Sequence, residues 1–93
     1  MQVTVEYAAQ VRQATGISRE EVTLAEPCST AELVRELVAR HGEPLGSVLL
    51  NSEGQPQRSI LAFLGEDQVR LDDASVQLAD GDTLTLLSPV SGG

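Results

Sequence analysis

Two segments with the alternation of β-strands lie near the two ends of this sequence. Residues 2–8 (QVTVEYA) and 83–88 (TLTLLS) place apolar side chains at alternate positions, and this period of two is typical of a half-buried strand. In the second segment, Leu84 and Leu86 are expected to face the core. A parallel pairing of the two strands needs a long crossover, which the intervening chain can supply. The pattern therefore predicts a mixed sheet.

The clearest helical pattern covers about residues 30–41. Ser29 precedes it, and Glu32 follows three residues later, which is the spacing of a capping box. Gly42 comes directly after the pattern and suits a left-handed helix end. We expect this helix to cover one face of the sheet with an apolar stripe. The residues of that stripe are Leu33, Val34, Leu37 and Val38.

Shorter segments complete the predicted fold. Residues 19–25 are expected to form a hairpin with the first strand, across a loop that contains Gly16. Residues 43–58 are punctuated by proline and glycine and are predicted to be a long connection. The fold class is therefore α+β, with a mixed sheet of four to five strands and one main helix. The remaining predicted elements are strands at 59–64 and 68–71 and a tight turn at 80–82.

The charge of the chain limits its partners. The 93 residues carry 14 acidic and 6 basic side chains, for a net charge of −8. This charge repels phosphate backbones and anionic membranes, so the expected partner is a basic cleft on another protein, with no nucleic acid and no membrane. No apolar run approaches the ~18 residues of a membrane span, and no basic leader with a long apolar run is visible. With a single cysteine as well, the chain is expected to be cytoplasmic.

The side chains that usually carry catalysis are few. His41 is the one histidine and lies at the end of the predicted helix, where a cation is favoured by the helix dipole. Cys28 has no second cysteine to pair with and is expected to be a small buried or loop residue. Asp80 and Asp82 fit turn chemistry better than a metal site. The sequence therefore predicts no catalytic residue, no metal site and no enzyme activity.

The last five residues follow the last strand directly. The proline ends sheet hydrogen bonding and directs the chain outward, and the valine can anchor in a groove of a partner. Glycines lack a Cβ and can pass through a channel too narrow for side chains; a frayed chain end is the other explanation. We expect residues 1–88 to form a single domain, with 89–93 as a flexible tail that threads into a partner's active site. The tail residues are Pro89, Val90, Ser91, Gly92 and Gly93.

Three segments carry a family resemblance. Residues 78–93 (LADGDTLTLLSPVSGG) resemble the end of the β-grasp sulfur carriers, which include the molybdopterin synthase small subunit, the thiamine-pathway carrier and their ubiquitin-like relatives. Residues 7–12 (YAAQVR) resemble the molybdopterin synthase small subunit. Residues 57–70 (QRSILAFLGEDQVR) are more similar to carriers that feed a cysteine synthase, and to archaeal small modifier proteins. The resemblance implies a ubiquitin-like β-grasp fold and leaves the pathway open.

The resemblance implies that Gly93 is the chemical site. Its carboxylate would be adenylated by a ubiquitin-activating-type adenylyltransferase and converted to a thiocarboxylate. A sulfur-accepting enzyme, either the molybdopterin synthase large subunit or a cysteine synthase, would then receive the sulfur. The chain itself would bind no cofactor, because ATP and any metal belong to the activating enzyme. The alternative is a ubiquitin-like protein modifier that forms isopeptide bonds through Gly93.

Strand periodicity also predicts a partner interface. The third strand is apolar at every position. If Ile60, Ala62 and Leu64 face the core, then Leu61 and Phe63 face outward beside Leu87. An exposed apolar patch on an acidic protein marks an interface. The alternative is that the connection at 43–58 folds over this face.

The basic residues are all arginine, and the sequence contains no lysine. An activated carboxyl group could therefore meet only one amine of its own chain, that of Met1. Either this chemistry or a genome that favours arginine codons would account for the composition.

Overall fold

Five strands and three helices form within residues 1–73 and 75–88, the part of the chain that the computed structural model describes. The helix α2 has the bounds that its apolar spacing predicts. In chain order, the elements are β1 (Gln2–Ala8), α1 (Ala9–Thr15), β2 (Arg19–Thr23), α2 (Thr30–His41), α3 (Glu43–Leu49), β3 (Leu61–Leu64), β4 (Asp67–Val69) and β5 (Thr83–Ser88).

The strand β5 lies at the centre of a five-stranded sheet with the order β2-β1-β5-β3-β4. It runs parallel to β1, with Leu86 beside Tyr7, and antiparallel to β3, with Leu86 opposite Ala62. The pairs β1–β2 and β3–β4 are antiparallel. The predicted mixed sheet, with its parallel first and last strands, is confirmed.

One face of the sheet carries the core. Along β1 and β5, buried side chains alternate with partly exposed ones, as the pleat requires. Burial of each large apolar side chain contributes about 1.5–3 kcal/mol, and these side chains hold α2 against the sheet. The members from β1, β5 and α2 are Val3, Val5, Tyr7, Leu84, Leu86, Leu33, Val34 and Leu37.

The side-chain cap predicted at the start of α2 is present, whereas Gly42 ends the helix in a conformation other than the predicted left-handed one. The backbone N–H of Glu32 donates to Ser29 Oγ at 3.2 Å, and the Ser29 hydroxyl donates to the Glu32 carboxylate at 3.3 Å. At the other end, the Gly42 N–H donates to the Val38 carbonyl oxygen at 2.7 Å. Gly42 has the predicted positive φ of 76°, but its ψ of −158° lies outside the left-handed helical region, because the chain turns directly into α3.

The prediction of a long irregular connection at 43–58 was wrong for its first half, which forms α3. Leu45 and Leu49 on this helix are fully buried, and they hold it against the core. Pro44 lies in the first turn, where its missing N–H leaves no helical bond unmade. Gly46 allows α3 to approach α2 closely, since a Cβ there would come within 3.3 Å of a valine side chain of α2. Proline and glycine, which suggested a loop in the sequence, are therefore both accommodated in this helix.

The predicted loop between the first two strands contains α1. Val11 is the buried residue of this helix. A single buried apolar residue cannot produce the repeated spacing by which a helix is recognised in a sequence. Contacts with α3 and β5 hold the segment instead. Gly16, with a φ of 77°, ends the helix, and its N–H donates to the Arg12 carbonyl oxygen at 2.8 Å. The strands β3 and β4 lie within or near the predicted segments but are shorter.

Candidate functional site

The C-terminal end of β5 is held firmly at the centre of the sheet. Ser88 is 8% exposed and pairs with Ala9 in an isolated parallel bridge. The Ser88 hydroxyl also donates to Gln10 Oε1 at 3.4 Å. Ala9 has a φ of 55°, so β1 turns into α1 at the point where β5 ends. The strand β5 therefore ends between β1 and β3, beside the start of α1.

The tail residues predicted as the chemical site and its lead-in follow directly after this point. They lie outside the described residues, so the placement predicted for them stays an expectation from the sequence. These residues are Pro89, Val90, Ser91, Gly92 and Gly93.

The structure brings Leu61 and Leu87 together on the face of the sheet opposite the core. They are direct partners in the ladder between β3 and β5, and Phe63 lies opposite Thr85 two positions along. All three apolar side chains are half-buried and lie outside the core cluster. Between them on the other face, Ala62 and Leu86 are fully buried. The prediction that Leu61 and Phe63 point away from the core, while Ala62 points into it, is therefore correct.

The parallel register adds Ala8 to this surface, because Ala8 lies beside Leu87. The sequence analysis did not single out Ala8, although its place in the alternation of β1 was an available signal. We call Ala8, Leu61, Phe63 and Leu87 the outer apolar face. The helix α3 does not cover it, since the buried leucines of α3 belong to the core cluster. Beside Leu61, a groove is lined by Pro56, Gln57 and Arg58 from the predicted connection and by residues 68–72.

A family model, that of the ThiS family, matches residues 5–93. This match takes in β1 from Val5 onward and the other four strands, and it continues through the terminal glycines. The chain belongs to the ThiS family.

Individual relatives of this ThiS-family chain agree with the match. The molybdopterin synthase sulfur carrier subunit of Chlamydomonas reinhardtii is 29% identical over 93 residues, with both chains fully covered. The crystal structure of SAMP1 from Haloferax volcanii superposes with a TM-score of 0.87 at 24% identity, again with both chains fully covered. CysO in the Amycolatopsis orientalis BexX/CysO complex has a TM-score of 0.69 and 28% identity, covering 98% of this chain and 99% of that one. The predicted family and its ubiquitin-like β-grasp fold are confirmed.

A cluster of titratable side chains lies on the helix side of this ThiS-family chain. The Tyr7 hydroxyl donates to Glu20 Oε2 at 2.5 Å, and His41 Nε2 lies 2.5 Å from the same oxygen. Arg40 Nη1 lies 3.5 Å from Glu20 Oε1. The Tyr7 and His41 rings also meet edge to face, with 6.0 Å between their centroids. The cluster ties β1 and β2 to the last turn of α2.

The surroundings shift two pKa values in this cluster. Burial raises the pKa of Tyr7, and its hydrogen bond to the Glu20 carboxylate raises it further. Burial alone would raise the pKa of Glu20, but the hydrogen bonds from Tyr7 and His41 and the charges of His41 and Arg40 lower it on balance. His41 was predicted only as a cation at a helix end. Its contact with Glu20 was missed because a strand distant in sequence supplies the carboxylate.

The remaining candidate residues have structural roles. Asp82 Oδ2 accepts from the Ala79 N–H at 2.8 Å within the turn, as turn chemistry predicts. Asp80 Oδ1 instead accepts from the Gln2 N–H at 2.7 Å, so this aspartate connects the turn to the start of β1. Cys28 is buried, and this burial, together with the charges of Glu32 and Glu36, raises the pKa of its thiol. Over residues 1–73 and 75–88, no three His, Cys, Asp or Glu side chains are placed to hold a metal ion together. No helix in the same part of the chain has the length and apolar character needed to cross a bilayer.

Proposed function

We propose that this chain is a ubiquitin-like sulfur carrier that transports sulfur as a thiocarboxylate on Gly93. The observation that carries the proposal is the family match, which runs through residue 93 and so includes both terminal glycines. The position of Ser88 supports it, because β5 ends at the centre of the sheet and the tail starts from a fixed point. The relative from Chlamydomonas reinhardtii is itself a sulfur carrier subunit.

The chemistry follows from the weakness of a carboxylate as an electrophile. Adenylation of Gly93 by ATP gives the carbonyl carbon a good leaving group. The terminal sulfur of a cysteine persulfide then attacks that carbon, and AMP leaves. A second thiol cleaves the resulting acyl disulfide and releases the thiocarboxylate. The activating enzyme supplies ATP, any metal and the catalytic groups, and the chain supplies the reactive terminus without catalysing a step itself.

The partners proposed for the chain are an adenylyltransferase of the ubiquitin-activating type and a sulfur-accepting enzyme. The acceptor is either the large subunit of molybdopterin synthase or a cysteine synthase. The outer apolar face lies next to the point where the tail leaves the sheet, so a partner that holds the tail can contact this face as well. The net charge of −8 favours partners whose grooves are basic. The buried free thiol of Cys28 suits a reducing compartment, and we place the chain in the cytoplasm.

The test is intact mass spectrometry of the full chain, co-expressed with its activating enzyme. We expect a species in which one terminal oxygen is replaced by sulfur, and this species should be absent when Gly93 is deleted. A chain that is adenylated but recovered only as amide adducts on other proteins would instead identify a modifier. A pull-down that keeps the C-terminus free then separates the two candidate acceptors. Capture of a cysteine synthase would place the chain in amino-acid synthesis, and capture of a molybdopterin synthase subunit in cofactor synthesis.

A further inference from the structure

The amines of this chain are unusually few for a protein with an activated terminus. All six basic side chains are arginine, and the sequence has no lysine. A guanidinium stays protonated at neutral pH and does not act as a nucleophile. The one primary amine that the sequence provides is therefore the α-amino group of Met1.

The structure holds this amine in a fixed place. The Met1 ammonium donates to the Leu24 carbonyl oxygen at 2.8 Å, next to the last paired residue of β2. The Met1 side chain is half-buried and packs against the hydrophobic core. The next residue is also fixed, since the Gln2 N–H donates to Asp80. The amine cannot approach a distant carbonyl unless the first residues of β1 leave the sheet.

The strand directions place this amine at the far end of the sheet from the tail. Because β1 and β5 are parallel, Ser88 lies beside Ala9, and Met1 lies at the opposite end of β1. At about 3.3 Å per strand residue, the separation between Met1 and Ser88 is about 25 Å. The five residues after Ser88 can span at most about 18 Å, whatever their conformation. The Gly93 carbonyl carbon therefore cannot reach the Met1 nitrogen in the folded chain.

We infer that the folded chain cannot acylate itself, and that a second copy offers it no lysine to acylate. The inference rests on the proposed activation of Gly93. Self-acylation would form a bond from the amine nitrogen to the Gly93 carbonyl carbon, break the bond to AMP and release a proton to water. With that route closed, the activated carbonyl can react only with water or with a nucleophile that another molecule presents, such as the sulfur of a partner. The absence of lysine also excludes lysine-linked chains of this protein on a target.

The experiment uses the full chain as a C-terminal thioester, prepared by thiol cleavage of an intein fusion. This preparation needs no activating enzyme, so the result does not depend on the proposed adenylation. In the assay, the amine displaces the thiol and forms an amide, and intact mass spectrometry distinguishes this cyclised product from the hydrolysed acid. The two variants are Arg12→Lys, on α1 beside the end of β5, and Gln2→Lys, next to Met1. Both positions are exposed.

The wild-type chain should hydrolyse without cyclising, and Gln2→Lys should cyclise little, because its amine meets the tail only when both are fully extended. Arg12→Lys should cyclise at least ~10-fold faster than Gln2→Lys, because its amine lies well within reach of the tail. Circular dichroism before the assay confirms that each variant is folded. Cyclisation of the wild type through Met1, or equal behaviour of the two lysine variants, would overturn the inference. If the chain co-expressed with its activating enzyme shows no thiocarboxylate by mass spectrometry, that result counts against the proposed function. It leaves the inference about the distance between Met1 and the tail intact.

Discussion

Leu61 of β3 lies directly opposite Leu87 of β5, on the face of the sheet that α2 does not cover. Their chain neighbours, Ala62 and Leu86, form the equivalent pair on the core face and are fully buried. Two apolar pairs one residue apart thus have different surroundings. One stabilises the fold, and the other is half-buried on the opposite face, where we propose that a partner contacts it.

Phe63→Ala should weaken binding to the activating enzyme by more than about 1 kcal/mol, or more than ~5-fold in Kd, as loss of an interface anchor does. Phe63 lies outside the core cluster, so the melting temperature should fall only slightly. Isothermal titration calorimetry and thermal unfolding of the same preparation give both values. A large loss of stability with unchanged affinity would place Phe63 in the core and remove it from the interface.

Leu87→Ala and Leu86→Ala form a matched pair that separates the two faces. Leu86 is 0% exposed, and its truncation should cost about 2–5 kcal/mol of unfolding free energy. Leu87 is half-buried, so its truncation should cost less stability and should weaken partner binding. Urea unfolding of both variants checks the order. Equal losses of stability would contradict the assigned faces.

Deletion of Gly93 should abolish sulfur transfer without changing the stability of the domain. The carboxylate would then belong to Gly92 and lie about 3.5 Å short of its place in the partner's site. Gly92→Ala should also slow activation, because its methyl group enters a channel that fits glycine. Release of pyrophosphate from ATP by the activating enzyme measures this step. Normal sulfur transfer by the chain without Gly93 would refute its role.

The carboxylate of Glu20 should make folding sensitive to acid. Its pKa is lowered below the ordinary 4.5 in the folded chain, so its stabilising contribution is complete above that pH. The contribution is lost as the pH falls through the folded value. The free energy of unfolding should therefore drop less steeply below pH 4.5 in Glu20→Gln than in the wild type. Urea titrations across the acid range measure both slopes, and parallel slopes would count against the role of this cluster.

Tyr7 should make the stability of the fold sensitive to alkaline pH. Its pKa is raised above the ordinary 10.0, so folding favours the neutral phenol. This contribution is present below pH 10 and is lost as the pH rises above it. Tyr7→Phe should be less stable at neutral pH, by about 1–3 kcal/mol for a hydrogen bond to a charged group. It should also lose less stability than the wild type between neutral and strongly alkaline pH, as followed by circular dichroism.

Ser29→Ala should destabilise the fold by about 1 kcal/mol, because the Glu32 N–H loses its acceptor at the start of α2. Ser29→Thr keeps a hydroxyl at the same position and should retain most of the stability. Thermal unfolding of the two variants provides the comparison, and equal melting temperatures would show that the cap contributes little.

Several elements could be predicted from the sequence because their signals are local. The apolar spacing and the caps of α2 lie within a dozen residues, and the alternation of β1 and β5 assigns each side chain to a face. The short helices could not be predicted in this way. Val11 is one apolar residue without a visible period, and Pro44 and Gly46 suggest a loop. These helices form because the core offers a surface that buries Val11, Leu45 and Leu49.

The sequence by itself determined the sheet class, the main helix, the outward phase of Leu61 and Leu87, and the resemblance of the glycine terminus to its family. Only the tertiary structure decided which distant groups meet. The Glu20 carboxylate joins Tyr7 and His41 because β1, β2 and α2 converge there. Met1 and Ser88 lie at opposite ends of the sheet because β1 and β5 are parallel. Periodicity assigns a side chain to a face, whereas strand order and direction, set by packing of the whole chain, decide its neighbours and its distance from the tail.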